Sequence, residues 1–215
     1  MSKQYTVATA LREVGGLGKP SKMPGFSYSV PAQEGKVGSK LVKIKGSVCY
    51  NCYALKGNYV RFPAVGKALY NRLDLVENNP KWVGAMAFLI NWYASKTTHF
   101  RWHDSGDIQS VKHLTKIVEV CKLTPNVKHW LPTREAKMVK EYLKDYGSFP
   151  SNLIVRVSAT MVDGEPHKFH EHTSTVVTSK SDKGYTCPAP TQGNECKDCR
   201  ACWDKRVSNV AYLEH

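Results

Sequence analysis

Strand-like and helix-like segments alternate along most of this chain, and this alternation limits the fold more than any other feature of the sequence. Short runs rich in β-branched and aromatic residues predict strands at 41–45, 98–102, 127–131, 152–160 and 173–178. Longer runs with apolar residues at helical spacing predict helices at 62–78, 80–96, 110–123 and 133–147. We therefore expect an α/β fold with a mainly parallel sheet, built from βαβ units. The pattern leaves open whether that sheet is open or partly curled into a barrel.

The chain divides by composition into three regions. Residues 1–40 are rich in Gly, Pro, Ser and Lys with little apolar periodicity, so we expect an irregular N-terminal segment. Residues 41–180 carry the alternating elements and are predicted to form the α/β core. Residues 181–215 hold four of the seven cysteines and are predicted to form a cysteine-rich, cluster-binding segment. A chain of 215 residues buries a core without disulfides, so the cysteines have another use.

Polar and reactive residues follow each predicted strand directly. In chain order these groups are Cys49 and Cys52, then His103, Asp104, Ser105 and Asp107, then Thr133 and Arg134, then Ser158 and Thr160. Because ligands bind at the carboxyl edge of a parallel sheet, we expect these residues to converge there. Taken singly, each also suits an ordinary turn or helix cap. We predict a cleft lined by His103, Asp104, Ser105, Asp107 and Arg134.

The spacing of the cysteines indicates a metal centre. Cys121 lies on the apolar face of a predicted helix and is expected in the core. Cys196, Cys199 and Cys202 form a C-x₂-C-x₂-C run, typical of iron–sulfur proteins, and Cys187 precedes a proline as a remote cluster ligand often does. Zinc sites more often use two separate C-x₂-C pairs. We predict a 4Fe–4S cluster, with zinc as the alternative.

Cys49 and Cys52 form a further C-x₂-C pair near the start of the predicted core. The pair either joins the C-terminal thiols in one site or contributes to a second site. A thioredoxin-like dithiol is less favoured than a metal site, because it leaves the C-terminal cysteines unexplained. The predicted metal ligands are thus Cys49, Cys52, Cys187, Cys196, Cys199 and Cys202.

The net charge of +13 predicts attraction to polyanions. The basic residues are scattered rather than clustered, and no nucleic-acid-binding signature accompanies them. Nucleic acid is therefore a candidate partner through the basic surface, beside a redox partner. The chain shows neither a signal-peptide pattern nor an apolar run long enough to cross a bilayer, so we expect no membrane association and a cytoplasmic location.

Four motifs, "CYNCYALKGNY", "FRWHDSGD", "LPTREA" and "CPAPTQGNECKDCRACW", resemble a cysteine-rich bacteriophage family of the gene-product-eighty-eight type. More distantly, "CYNCYA" looks like the last two cysteines of radical S-adenosylmethionine enzymes. That likeness implies an incomplete β/α barrel, a truncated form of the radical enzymes' core. Those enzymes carry a third cysteine four residues before the pair, where this chain has Lys45.

These patterns together lead to one expected function with two alternatives. We expect a phage-encoded iron–sulfur protein, in the host cytoplasm, with a role in electron transfer or in chemistry on a small ligand. The first alternative is a zinc-stabilised nucleic-acid-binding protein. The second is a radical S-adenosylmethionine enzyme, which is not favoured, because thiols at all four cluster corners leave no iron open to that cofactor.

Overall fold

A seven-stranded sheet forms the centre of the molecule in the computed structural model, which describes residues 5–50, 52–56, 61–180 and 183–214. The strands are Phe26–Tyr28 (β1), His99–Trp102 (β2), Lys128–Thr133 (β3), Leu153–Val162 (β4), Thr173–Val177 (β5), Tyr185–Thr186 (β6) and Asn209–Leu213 (β7). Their order is β1-β2-β3-β4-β5-β7-β6, and every pairing is parallel. The predicted α/β class with a mainly parallel sheet is confirmed, and the sheet is open, with β1 and β6 at its edges.

Six α-helices accompany the sheet in the described part of the chain. They are Val7–Val14 (α1), Gly38–Leu41 (α2), Pro63–Asn78 (α3), Trp82–Tyr93 (α4), Val111–Leu123 (α5) and Ala136–Tyr146 (α6). The Ser110 hydroxyl caps α5 by accepting a hydrogen bond from the backbone N–H of His113. Gly147 ends α6 with a positive φ of 77°. The four long predicted helices are all present.

The apolar core lies on one face of the sheet, between the strands and the helices. Phe100, Trp102, Leu131 and Val155 project from the strands into this core and are almost fully buried. They occupy alternate positions along their strands, because successive side chains of a strand point to opposite faces. Cys121, in α5, is fully buried in the same core, as its place in the sequence predicts.

The opposite face of the sheet carries a different set of side chains and is covered by the C-terminal segment. The guanidinium of Arg101 lies 4.6 Å from the ring centroid of Trp130. Trp130 in turn packs edge-on against Trp203, at 5.1 Å between ring centroids. The indole N–H of Trp203 donates to the carbonyl of Phe100 at 3.0 Å. These contacts fix residues 187–208 across this face.

Two sequence predictions are wrong near the N-terminus. Residues 41–45 do not form a strand: α2 ends at Leu41, turns follow it, and Ile44 is 46% exposed. The position beside β2 belongs to β1 instead. Residues 1–40 are not simply irregular, since they contain α1 and β1.

The start of α1 carries a helix-capping signal that the composition of residues 1–40 does not reveal. Thr6 and Thr9 form a reciprocal capping box, in which each side chain accepts a hydrogen bond from the other residue's backbone N–H. Gly15 ends the helix with a φ of 74°. Across the described residues, none of the helices combines the length and the apolar character that crossing a membrane requires.

Candidate functional site

A buried carboxyl group joins the loops that follow β2 and β3 at the carboxyl edge of the sheet. Asp107 accepts hydrogen bonds from the Thr133 hydroxyl at 2.6 Å and from the backbone N–H groups of Arg134 and Ile108, each at 2.8 Å. Burial raises the pKa of Asp107 to about 6, although all three hydrogen bonds act to lower it. Two of the predicted polar groups therefore meet here.

His103 and Ser105 are buried behind this carboxyl group. His103 has a φ of 59°, in the left-handed region, and its ring lies 5.2 Å from that of His113 in α5. Burial lowers the pKa of His103 to about 3, so the ring is neutral at physiological pH. The backbone carbonyl of Ser105 accepts from Val30 N–H at 3.2 Å, which joins this loop to the end of β1.

Asp104, in the same loop, lines a cavity of about 290 Å³. The cavity lies between the loop after β2 and the first turns of α3, where Ala64, Leu69 and Arg72 form part of its wall. Of the five side chains predicted to line one cleft, Asp104 alone is among the residues that line this cavity. The predicted set is therefore spread over the carboxyl edge, partly inside the protein and partly along this cavity.

The Cys49–Cys52 pair is attached to the far end of β4. Val48 N–H donates to the carbonyl of Thr160 at 3.0 Å, and Ser47 forms an isolated antiparallel bridge with Met161. Cys52 N–H donates to the carbonyl of Cys49 at 3.2 Å, so the two cysteines stand at the ends of one tight turn. Cys49 is only 4% exposed, whereas Cys52 is half-buried.

The neighbours of Cys49 are the polar residues of the carboxyl edge. Burial raises the pKa of the Cys49 thiol, Arg134 acts against that rise, and Cys52 and Asp107 add to it. Glu135 joins this edge of the sheet to the N-terminal segment, because its carboxylate accepts a hydrogen bond from Val37 N–H at 2.8 Å, just before α2. Arg134 and Asp107 thus both act on Cys49 from the loops that follow β3 and β2.

The four C-terminal cysteines form a second group, on the sheet face that the helices leave free. Cys187 N–H donates to the carbonyl of Ala211 in β7 at 2.8 Å. Cys196 N–H donates to the carbonyl of Lys22 at 2.8 Å, and Cys199 N–H to that of Cys196 at 2.8 Å. All four cysteines are half-buried and free of disulfides.

The thiols of this group act on one another. Burial raises the pKa of Cys187 and of Cys196, and Cys199 raises both further. Burial raises the pKa of Cys202 to about 12, with a further increase from Cys187. The hydrogen bonds of Cys187 to Ala211 and of Cys199 to Cys196, with the contact between Cys202 and Tyr212, place the four residues along β6 and β7.

Two tyrosine hydroxyls contact this group. The Tyr212 hydroxyl lies 3.1 Å from the sulfur of Cys202. The Tyr185 hydroxyl lies 3.5 Å from the sulfur of Cys199. Both tyrosines belong to the adjacent strands β7 and β6, so the sheet itself carries polar groups to the thiols.

Arg156 holds the cysteine-rich segment in place from beneath. Arg156 is fully buried in β4. Within the described part of the chain, its guanidinium donates five hydrogen bonds, all to backbone carbonyls. The five acceptors are Cys202 at 3.1 Å, Thr173 at 3.3 Å, Ser208 at 3.2 Å, Ala201 at 2.9 Å and Asp204 at 3.0 Å. The positive charges of Arg156 and Arg101 both lower the pKa of Cys202. Sequence reasoning missed this residue, although an arginine within the apolar run "LIVRV" was a visible signal.

Neither group of cysteines has the geometry of a single-ion site. Among the residues that the structure describes, no three Cys, His, Asp or Glu side chains stand close enough together to hold one metal ion. A cubane cluster makes a different demand, because each of its four irons takes its own thiolate. Iron and zinc therefore both stay predictions for the C-terminal cysteines.

The sequence comparisons agree with one of the two expected resemblances. Searches of curated proteins and of solved structures found no match. The resemblance to radical S-adenosylmethionine enzymes is not supported, and helical turns rather than a strand precede Cys49 among the described residues. A model of the family described as Gene product 88 matches residues 2–205, which supports the resemblance to bacteriophage proteins. The chain therefore belongs to the gene product 88 family.

Proposed function

We propose that this protein binds one 4Fe–4S cluster through its C-terminal cysteines and serves in electron transfer. The ligands are Cys187, Cys196, Cys199 and Cys202. The observation that carries the proposal is the arrangement of the segment on β6 and β7: Cys187 is hydrogen-bonded to β7, and the hydroxyls of Tyr185 and Tyr212 contact the sulfurs of Cys199 and Cys202. Four thiols fill the four corners of a cubane, so the Cys49–Cys52 pair is not needed for it. When bound, the cluster supplies a centre that gains and loses single electrons.

The charges around the four thiols favour a bound 4Fe–4S cluster. A cluster held by four thiolates is an anion, and burying an anion is costly unless positive charge or hydrogen bonds compensate. Arg101 and Arg156 supply positive charge beside Cys202, and Arg200 acts with Arg101 on Cys196. Tyr212 and Tyr185 bring hydroxyl groups to the sulfur atoms of Cys202 and Cys199. Hydrogen bonds to cluster sulfurs also tune the reduction potential.

Electron transfer follows from the number of ligands. With a thiolate on every iron, no corner is open to bind a substrate or S-adenosylmethionine. The radical-enzyme alternative needs such an open iron, and the truncated barrel implied by that resemblance has no support from the open sheet. The nucleic-acid alternative rests on the net charge of +13 alone. A redox partner is therefore the partner that this proposal requires.

Purification without oxygen, followed by iron and acid-labile sulfide analysis, tests the proposal. We expect a brown protein with about four irons and about four sulfides per chain. Reduction with dithionite should bleach the visible absorption and produce a paramagnetic signal in electron paramagnetic resonance. A colourless protein with stoichiometric zinc, or one that takes up neither iron nor sulfide on reconstitution, would overturn it.

A further inference from the structure

The Cys49–Cys52 pair offers a chemistry that the proposed cluster does not use. We propose that Cys49 and Cys52 form a redox-active dithiol that reduces low-molecular-weight disulfides, with Asp107 as the proton acceptor. The site lies at the carboxyl edge of the sheet, where the loops after β2 and β3 meet the turn that contains both cysteines. It is independent of the cluster, because it shares no ligand with the C-terminal quartet.

The turn brings the two cysteines within reach of a disulfide bond. The hydrogen bond from Cys52 N–H to the carbonyl of Cys49 closes a four-residue turn at 3.2 Å. Such a turn places its first and last Cα atoms within about 7 Å, and a disulfide spans Cα atoms about 4.4–6.8 Å apart. Both thiols are free. The bonds of Ser47 and Val48 to the end of β4 hold the turn against the sheet in either redox state.

The two thiols differ in access, and this difference sets their order of reaction. Cys52 is half-buried and therefore reachable by a disulfide from solvent. Cys49 is 4% exposed and lies against Gly38 in α2, where an added Cβ would stand 3.7 Å from its sulfur. Cys52 is therefore the attacking thiol. Cys49 is the resolving thiol, which reacts only with the sulfur beside it.

Asp107 is linked to the surroundings of Cys49 by hydrogen bonds. Its carboxylate accepts from Arg134 N–H at 2.8 Å, and the carboxylate of the next residue, Glu135, accepts from Val37 N–H at 2.8 Å. Gly38, which follows Val37, is the residue that lies against the Cys49 sulfur. Arg134 and Asp107 both influence the pKa of Cys49. The three donors to the Asp107 carboxylate are a hydroxyl and two backbone N–H groups, and none is a cation. No ion pair within the described ranges includes Asp107. The carboxylate is thus buried without a neutralising partner, so it gains from accepting a proton.

The reaction balances in two steps. The Cys52 thiolate attacks one sulfur of a disulfide R–S–S–R, forms a mixed disulfide Cys52–S–S–R and releases R–S⁻. Asp107 then takes the proton of Cys49, whose thiolate attacks the sulfur of Cys52 and releases the second R–S⁻. The substrate gains two electrons, and Cys49 and Cys52 lose two as they form a disulfide. A dithiol reductant from solution returns the pair to its reduced state.

Oxidised glutathione is the probe, applied to the reduced holoprotein without oxygen and followed by peptide mass mapping. We expect an internal Cys49–Cys52 disulfide and release of two glutathione thiols per chain. Cys49→Ser should accumulate a glutathione adduct at Cys52, because the resolving thiol is missing. Cys52→Ser should leave Cys49 unmodified, because that sulfur is buried.

The Asp107→Asn variant tests the proton acceptor separately. It should keep the first step and slow the second at least about tenfold at neutral pH, so that the mixed disulfide at Cys52 accumulates. Circular dichroism identifies a variant that has lost its fold, and the Cys49→Ser adduct tests the dithiol without changing Asp107. Adducts on Cys49 and Cys52 at equal rates, with no internal disulfide, would overturn the proposal.

Iron analysis of the same samples separates this proposal from the cluster. If Cys49→Ser or Cys52→Ser removes the iron, the pair ligates the cluster and the dithiol proposal fails. If the wild-type protein holds no iron yet forms the Cys49–Cys52 disulfide, the dithiol stands and the cluster proposal fails.

Discussion

The two cysteine groups differ in the charged residues around them. The C-terminal quartet lies on a sheet face that carries Arg101 and Arg156, and both lower the pKa of Cys202. The Cys49–Cys52 pair lies at the sheet edge, where residues of both signs act on Cys49: Arg134 favours its thiolate and Asp107 disfavours it. A thiol near cations alone is more easily held as a thiolate than one that also has a buried carboxyl group nearby. The two proposals, a cluster at the quartet and a dithiol at the pair, rest on this difference.

The largest expected difference between the two groups is in bound iron. Cys196→Ser or Cys199→Ser should lose most of the iron and sulfide, because each removes a corner ligand of the proposed cluster. Cys49→Ser and Cys52→Ser should keep the wild-type amounts. Metal and sulfide analysis after anaerobic purification measures both. Equal loss in the two sets would mean that the six thiols share one site, and the comparison would no longer hold.

Removing the Arg156 guanidinium should have the next largest effect. Arg156→Met removes five hydrogen bonds at once, so we expect the free energy of unfolding to fall by about 3 kcal/mol. The carbonyls of Ala201, Asp204 and Ser208 keep a backbone N–H donor, which limits the loss. Urea denaturation measures this change. Arg206→Gln is the matched control, since the Arg206 side chain is 90% exposed and its guanidinium donates to the carboxylate of Asp204. If the urea midpoint of Arg206→Gln were as low as that of Arg156→Met, Arg156 would not hold the cysteine-rich segment in place.

The pH dependence of stability should report the burial of Asp107. Its pKa is raised from 3.8 to about 6, so the folded state binds a proton more tightly than the unfolded state does. Its contribution is therefore complete below pH 3.8 and is lost as the pH rises through about 6.

Wild type and Asp107→Asn share every other titrating group, so their difference isolates this effect. The stability of wild type relative to the variant should increase by about 2 kcal/mol as the pH falls from 7 to 4. Urea denaturation at the two pH values measures it. A difference that does not change with pH would show that Asp107 titrates normally in the fold.

Cys121 offers the smallest expected effect and a control for both groups. Cys121→Ala should cost about 1 kcal/mol, because it removes one buried sulfur from the core. It should change neither the iron content nor the glutathione reaction, which the two assays above measure. Loss of iron in this variant would mean that general destabilisation, rather than ligation, explains the cysteine variants.

The polar residues at the carboxyl edge were predictable because each follows a strand that the sequence pattern identifies. Asp107, Thr133 and Arg134 follow two clear strands, and a parallel sheet brings such ends together. The separation of the cysteines was not predictable, because C-x₂-C spacing is the same in a metal ligand pair and in a dithiol. Only the neighbours Asp107 and Arg156, distant in sequence, distinguish the two groups.

The missed strands have two causes. β1 and β6 contain three and two residues, which is too short for alternation to be read. β7 lies in the segment that was predicted to be a cysteine-rich loop. The sequence 41–45 does alternate, yet it forms turns at the surface, because composition alone does not provide a strand with a pairing partner. Arg156 shows the same limit: its five acceptors come from backbone groups that no side-chain pattern reveals.

The position of β7 between β5 and β6 imposes an order of assembly. β6 pairs with β7 alone, so Tyr185 and Thr186 gain a neighbour in the sheet only once β7 has docked beside β5. When β7 docks, residues 187–208 become a loop that is held at both ends, and the chain loses conformational entropy at that step. Before that step, the pairing of β6 and β7 with the rest of the sheet does not restrict the four cysteines. Binding of the proposed cluster and completion of the sheet should therefore favour each other.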